Sequence, residues 1–206
     1  MPVKSIEHTF YFKIKMVLDK IAAVLALILL SIPMLVIAII IKRDSKGPVF
    51  FRQERIGFQQ KPFMMFKFRT MYEGSENQER EIYERSNSDF VQTEDDKRIT
   101  KVGRIFRSHS IDEIPQVFNI LLGHMSFIGP RPLIRLEFEH MNEVQLKRYK
   151  ALPGLSGLAQ INGRSSLNAD QKTMYDLDYI DNFSLWQDIA IVFKTFPAVF
   201  KKKNAI

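Results

Sequence analysis

IAAVLALILLSIPMLVIAIII, residues 21–41, carries no charged side chain. At roughly 20 residues it has the length a helix needs to cross the hydrocarbon core of a bilayer. The run is too long for the apolar part of a cleavable signal peptide, starts late, and is followed by no small-residue cleavage site. Pro33 lies near its middle, two residues after Ser31. A proline inside a helix removes one backbone hydrogen bond and kinks the helix. A nearby serine can take up the freed groups. Lys13, Lys15 and Lys20 precede the run, and Lys42, Arg43 and Lys46 follow it. With both flanks basic, neither end is marked for translocation. Two readings stay open on these grounds: a single crossing, or a bent helix that enters one leaflet and returns.

Outside this run the chain is polar and basic. Its 206 residues suffice for one domain with an appendage, and the formal net charge is +7. The charge is uneven. Tyr72 to Asp96 holds nine acidic and two basic residues, so the rest of the chain carries +14. Such a surplus suits phosphate-rich partners: nucleotides, nucleic acid or an anionic membrane surface. Nucleic acid is not expected, because an apolar anchor has no use there and no nucleic-acid motif is present. There is no cysteine, which excludes disulfides and thiol chemistry. His8, His109, His124 and His140 lack metal-ligand spacing, so zinc is not expected.

Residues 48–71, PVFFRQERIGFQQKPFMMFKFRTM, alternate with period two and read as a β-hairpin whose turn is bracketed by Gly57 and Pro62. Lys67 and Arg69 would share one face of it. The acidic stretch 72–96 reads as a solvated helical flap with Glu76/Arg80 and Glu81/Arg85 pairs. A polar helix is expected around Glu137–Lys150. Residues 152–164, LPGLSGLAQINGR, read as a glycine-rich loop. In the tail, Leu185, Ile189, Phe193, Phe196 and Phe200 fall on one side of a helix, with Trp186 and Lys201 to Lys203 at its border. That pattern fits a helix lying in a membrane surface, or one packed on a core.

The chemistry centres on SHSIDEIPQVFN, residues 108–119. Ser110 and Glu113 have capping-box spacing, and carboxylates are stabilised at a helix start. A structural cap is therefore one reading of Asp112 and Glu113. The surroundings support another. Arg98, Arg104 and Arg107 come before the pair, and Arg131 sits between Pro130 and Pro132. Arg164 closes the glycine-rich stretch, while Lys67 and Arg69 come from the hairpin. Stiffly held arginines grip phosphate oxygens in pairs. A carboxylate facing such a ring is ionised and can attack phosphorus. A divalent ion shared with the phosphate removes the repulsion, and magnesium suits hard oxygen ligands. His109 is read as a surface histidine, and each cation could instead serve a structural ion pair.

Four segments together carry a family resemblance: KFRTM (67–71), RSHSIDEIPQVFNIL (107–121), MSFIGPRP (125–132) and LPGLSGLAQINGR (152–164). In this order, behind a proline-interrupted apolar helix, they resemble the monotopic phosphoglycosyl transferases over about residues 13–203. These are bacterial sugar transferases acting on polyprenol phosphate. The resemblance implies that Asp112 is the nucleophile, displacing UMP from a UDP-sugar and holding the sugar phosphate covalently until undecaprenyl phosphate attacks. It implies that Glu113 binds Mg2+ or manages a proton, with Asp112 and Glu113 as metal ligands. Arg131 and Arg164, then Arg107, Lys67 and Arg69, are the expected substrate-binding residues. The family's helix break matches Ser31 and Pro33 and favours the re-entrant reading, although Ile32 here separates the two. Many relatives carry a multi-spanning domain ahead of the catalytic part, for which these 206 residues leave no room.

The expected fold is α+β and mainly helical. Residues 1–46 form an N-terminal segment with the re-entrant membrane helix (21–41). Residues 47–206 form a cytosolic catalytic domain with a small β-hairpin and interfacial amphipathic helices. The expected place is the cytoplasmic face of the bacterial inner membrane, at the first membrane step of glycan synthesis. The alternative function is a non-catalytic membrane-surface protein binding anionic lipid.

Overall fold

A computed structural model describes residues 6–75, 96–163 and 166–200, with side chains to residue 197. The expected ion pairs at Glu76/Arg80 and Glu81/Arg85 fall outside the described residues, as do Arg164 and Lys201 to Lys203.

The apolar run is the middle of one helix of 35 residues, α1 (Phe10–Asp44). Thr9 starts it by accepting a hydrogen bond from the Phe12 amide at 3.2 Å. Helix α1 continues through Ser31 and Pro33, so the anticipated break is not an interruption of the helix. Ser31 Oγ donates to the Ile28 carbonyl at 2.8 Å, beside the point where proline supplies no N–H.

One stripe of α1 is buried: Phe12, Lys15, Asp19, Ala23, Met34 and Ile41, at helical spacing. Three apolar clusters attach along it. Phe12 packs with Ile128, Tyr179, Ile180 and Ile191. Ala23 packs with Phe63, Met65, Val117, Ile120 and Met125. Met34 and Ile41 pack with Phe68 and Phe106. Residues 6–46 thus share every core cluster with the rest of the described chain. The opposite side of α1, from Val17 through Ile40, is apolar and exposed.

The hairpin is formed as expected, by β1 (Phe50–Ile56) and β2 (Pro62–Phe68), with Phe51 opposite Lys67. Its left-handed turn positions are Gln59 and Gln60. Helices α2 (Lys101–Ser108) and α3 (Gln116–Leu121) follow, and Gly123 closes α3 at φ +79°.

Two expectations fail beyond this point. Residues 152–163 are not a loop: β4 (Gly154–Ser156) pairs in parallel with β3 (Ser126–Ile128), and helix α6 (Leu158–Asn162) follows it. Its glycines serve close backbone contact. A Cβ on Gly154 would lie 2.1 Å from the Gly129 nitrogen. Nor is 137–150 one helix. It breaks into α4 (Arg135–Glu139), α5 (Glu143–Leu146) and a 3-10 turn, Lys147–Lys150, because Asn142 caps a new start through the Val144 and Gln145 amides.

Helices α7 (Ala169–Asp181) and α8 (Leu185–Phe200) complete the fold. Helix α8 is inverted relative to a water-facing helix. It exposes Leu185, Trp186, Phe193 and Phe196 while burying Asp188 and Ile191. Asp188 accepts from Lys15 Nζ at 2.5 Å, from the Tyr11 hydroxyl at 2.6 Å and from the Tyr179 hydroxyl at 2.8 Å. This buried polar knot ties α1, α7 and α8 together.

Removing one partner of a buried ion pair leaves an uncompensated charge, at a cost of about 3–5 kcal/mol. Lys15→Met is expected to lower the melting temperature in detergent by that equivalent. Lys13→Met, on the exposed side of the same helix, should change stability by no more than about 0.5 kcal/mol. Equal melting temperatures for the two variants would remove this role from Lys15.

Candidate active site

Asp112 and Glu113 lie on a 3-10 turn, Ile111–Glu113, between α2 and α3. The expected capping box is not formed. Ser110 is left-handed, at φ +55°, and its side chain makes no capping bond. Helix α3 begins only after Pro115. The left-handed step at Ser110 reverses the chain, and the tight turn brings Asp112 inside, where it is 7% exposed.

Three of the expected cations meet this pair. Lys67, from β2, places Nζ 3.1 Å from Glu113 Oε1 and 3.7 Å from Asp112 Oδ2. Arg131 directs Nη1 and Nη2 to the same Glu113 oxygen, both at 3.2 Å. Arg107, on α2, is anchored by Nε to Thr70 Oγ1 at 2.8 Å, and its charge acts on Asp112. Arg69 does not join them. It is buried and donates to the Ser45 carbonyl at 2.8 Å and to the Lys46 carbonyl. The strand ends at Phe68, so the alternation that would have put Arg69 beside Lys67 stops one residue short. Its guanidinium instead binds the carboxyl end of α1. His109 is exposed, with Nδ1 at 2.9 Å from the Ile105 carbonyl, in line with a surface role.

The two carboxyls are pushed apart. Burial raises the Asp112 carboxyl above the ordinary aspartate value, against the pull of Lys67, and the Glu113 charge raises it further. Burial also raises Glu113, but Lys67 and then Arg131, by charge and by hydrogen bonds, outweigh it and hold Glu113 well below the glutamate range. Glu113 is thus a fixed negative charge that gathers two cations. Asp112 differs. Among the described residues no donor hydrogen-bonds to its carboxylate, so its oxygens stay open toward a ligand.

Among the described residues no cluster of three or more carboxylates and histidines forms a closed metal site. The pair itself suits magnesium, which takes one or two protein carboxylates and completes its shell with water and substrate phosphate. Asp112 offers two oxygens without hydrogen-bond donors. Glu113 keeps Oε2 beyond the oxygen used by Lys67 and Arg131.

Two positioning groups escaped the sequence reading. Asn119, fully buried on α3, donates to the Met64 carbonyl at 2.7 Å and accepts from the Phe66 amide at 2.9 Å, which aligns β2 with the acidic turn. Its only signal was an amide set, with Gln116, among the apolar residues of a short helix. Arg148 is buried and pairs with Asp176 at 2.7 Å. Nothing distinguished it from Lys147 and Lys150 beside it.

Carbon-13 carboxyl titration in detergent should show Asp112 titrating above an ordinary aspartate and Glu113 below an ordinary glutamate. Because the folded value of Glu113 is depressed, its contribution to stability is complete above the unfolded value and is lost as pH falls through the folded one. Lys67→Met should move both carboxyls upward. Unchanged titration in that variant would separate Lys67 from the pair.

Comparison with known proteins gives the family. A family profile described as bacterial sugar transferase matches residues 10–202. The chain is 40% identical to a UDP-glucose:undecaprenyl-phosphate glucose-1-phosphate transferase of Klebsiella pneumoniae, over 99% of this chain and 43% of that protein. It is 41% identical to a UDP-N-acetylgalactosamine-undecaprenyl-phosphate N-acetylgalactosaminephosphotransferase of Aeromonas hydrophila, over 92% of this chain and 44% of the other. It is 38% identical to the exopolysaccharide production protein ExoY of Rhizobium meliloti, over 88% and 83%. The chain therefore spans less than half the length of the first two relatives and most of the third. With the match covering α1, the acidic turn and the proline-flanked Arg131, the chain belongs to the bacterial sugar transferase family.

Proposed function

We propose that this chain moves a sugar-1-phosphate from a UDP-sugar to undecaprenyl phosphate, releasing UMP. The observation that carries the reading is Asp112: a buried carboxylate without hydrogen-bond donors among the described residues, in the field of Lys67, Arg107 and Arg131. An Asp112 oxygen forms a bond to the sugar-bearing phosphorus. The bond from that phosphorus to the bridging oxygen breaks, and UMP leaves with the electron pair. The phosphate oxygen of undecaprenyl phosphate then attacks the same phosphorus and restores the Asp112 carboxylate. Glu113, held ionised, keeps Lys67 and Arg131 at the site and is not a proton carrier. Lys67, Arg107 and Arg131 neutralise the diphosphate as charge builds in the displacement. Arg164 remains a candidate for the nucleotide. Mg2+ bound by Asp112 and Glu113 would supply Lewis-acid neutralisation of the phosphate oxygens. The donor sugar is left open: the two relatives named for their donors differ in glucose and N-acetylgalactosamine.

The place of action in this reading is the cytoplasmic face of the inner membrane. The exposed apolar faces of α1 and α8 support it, with Trp186 at the border. Re-entry without crossing is supported by the packing. Helix α1 contacts the domain from Phe12 to Ile41. A full crossing would draw the charged hairpin and α2 into the bilayer with it.

With undecaprenyl phosphate and Mg2+, wild type is expected to release UMP from one of a panel of UDP-sugars. Asp112→Asn should retain less than about a thousandth of that rate while still binding membranes. Given the UDP-sugar alone, intact-mass analysis should find a sugar-phosphate adduct mapping to Asp112. No UMP release by wild type, with membrane binding as its sole activity, would instead favour a lipid-binding role, and full turnover by Asp112→Asn would take the nucleophile away from Asp112. Tags at Met1 and Ile206 should both be reached only from the cytosolic side, and labelling of the Met1 tag from outside would establish a crossing.

A further inference from the structure

Arg131 stands in a segment whose backbone is held at every carbonyl from Pro130 to Leu133. The Gly154 amide of β4 donates to Pro130 at 2.8 Å. Arg148 Nη2 donates to the Arg131 carbonyl at 3.0 Å. Arg55 Nη1 reaches the Pro132 carbonyl at 3.5 Å. The Ile56 amide of β1 donates to Leu133 at 2.9 Å. The prolines on either side of Arg131 restrict its backbone further.

One of these four ties is made by a charge in the core. The Arg148 side chain is 4% exposed, and Nη2 lies 2.7 Å from Asp176 Oδ2, whose side chain is 1% exposed. Asp176 comes from α7 and Arg148 from the turn Lys147–Lys150, so the pair joins the rear of the domain to the segment that carries Arg131. Stability does not account for such a pair. Taking two charges out of water offsets their attraction, and apolar side chains of like volume serve a core as well or better. What apolar side chains cannot do is donate to the Arg131 carbonyl.

We infer that Arg148, set by Asp176, is a positioning residue that fixes the backbone origin of Arg131 and so the place where its guanidinium meets the diphosphate of the donor. This rests on the proposed role of Arg131 in holding phosphate. The Arg131 side chain is 47% exposed, so little outside its backbone and its Glu113 contact restrains it. A displacement of about 1 Å at such an anchor can lower activity roughly a hundredfold.

The test pairs stability with function in the purified full chain. Arg148→Met combined with Asp176→Leu removes both charges and keeps the volume. It is expected to melt no more than a few degrees below wild type, yet to bind UDP with Mg2+ about 10- to 100-fold more weakly and to lose a similar factor in kcat/KM. Arg131→Ala, damaging in wild type, should then add less than about threefold, because the two changes act on one element. Wild-type UDP affinity in the folded double variant overturns the inference, as does Arg131→Ala costing the same factor in both backgrounds. Should the double variant not fold, Arg148→Lys carries the same comparison. It keeps a charge for Asp176 but replaces the planar guanidinium, whose Nη2 serves both Asp176 and the Arg131 carbonyl, with a shorter ammonium, and additivity with Arg131→Ala overturns the inference there too. If UDP binds wild type and Arg131→Ala alike, the phosphate role of Arg131 falls, and this inference with it. If Arg131→Ala weakens binding but the Arg148 variants do not, only the inference falls.

Discussion

A helix that is apolar all round can bury only one side of itself against a domain of this size, and the structure is arranged around that constraint. Helix α1 gives one stripe to the protein, from Phe12 to Ile41, and leaves the other exposed. All three core clusters attach to the buried stripe, so the part of the chain suited to lipid is also the spine of the domain. The acidic turn cannot part from α1 without unpacking the core. Charge reinforces the joint. Lys15 and Asp188 meet at 2.5 Å inside the protein and hold α8 with its apolar face outward. A buried ion pair adds little net stability compared with apolar packing, but it punishes any other arrangement of the two helices.

The segment from Lys67 to Thr70 connects this spine to the acidic turn. Lys67 pairs with Glu113 and stands near Asp112, Arg69 binds the carbonyls at the end of α1, and Thr70 holds Arg107. Lys67, Arg69 and Thr70 thus serve the acidic turn and α1 together. Gly47 makes room for this: it is left-handed, at φ +117°, and a Cβ there would strike the Arg69 guanidinium. The same economy of position separates the two adjacent carboxyls. Glu113 faces Lys67 and Arg131 and stays ionised. Asp112, one residue earlier on a tight turn, is buried without donors of its own among the described residues. Neighbours in sequence acquire different chemistry because a 3-10 turn points them in different directions.

Several features were legible in the residues because each is local. Period two in Phe66–Arg69 marked the hairpin, a charge-free run marked α1, and apolar spacing in the tail marked the outward face of α8. Others were not. Ser110 has the spacing of a cap, yet the chain there is left-handed and its side chain makes no capping bond, a backbone state that residue spacing does not reveal. The glycines of 152–164 read as loop because flexibility is what glycine signals in isolation. Their use here is to let Gly154 approach Gly129, a contact between segments far apart in sequence. Arg69 was placed with Lys67 by alternation, which holds only while the strand lasts.

By itself, then, the sequence determined the apolar helix, the hairpin, the acidic pair and the surplus of positive charge around it, since composition, period and short motifs depend on neighbouring residues. Only the tertiary structure decided which cations reach the pair: Lys67, Arg107 and Arg131 arrive there, while Arg69 caps a helix. It likewise decided that Glu113 takes the hydrogen bonds of Lys67 and Arg131 while Asp112 has none among the described residues, and that Arg148 and Asp176 back the segment carrying Arg131. Charge and residue type are properties of a position in the chain. Desolvation and pairing exist only once distant positions exclude water from one another.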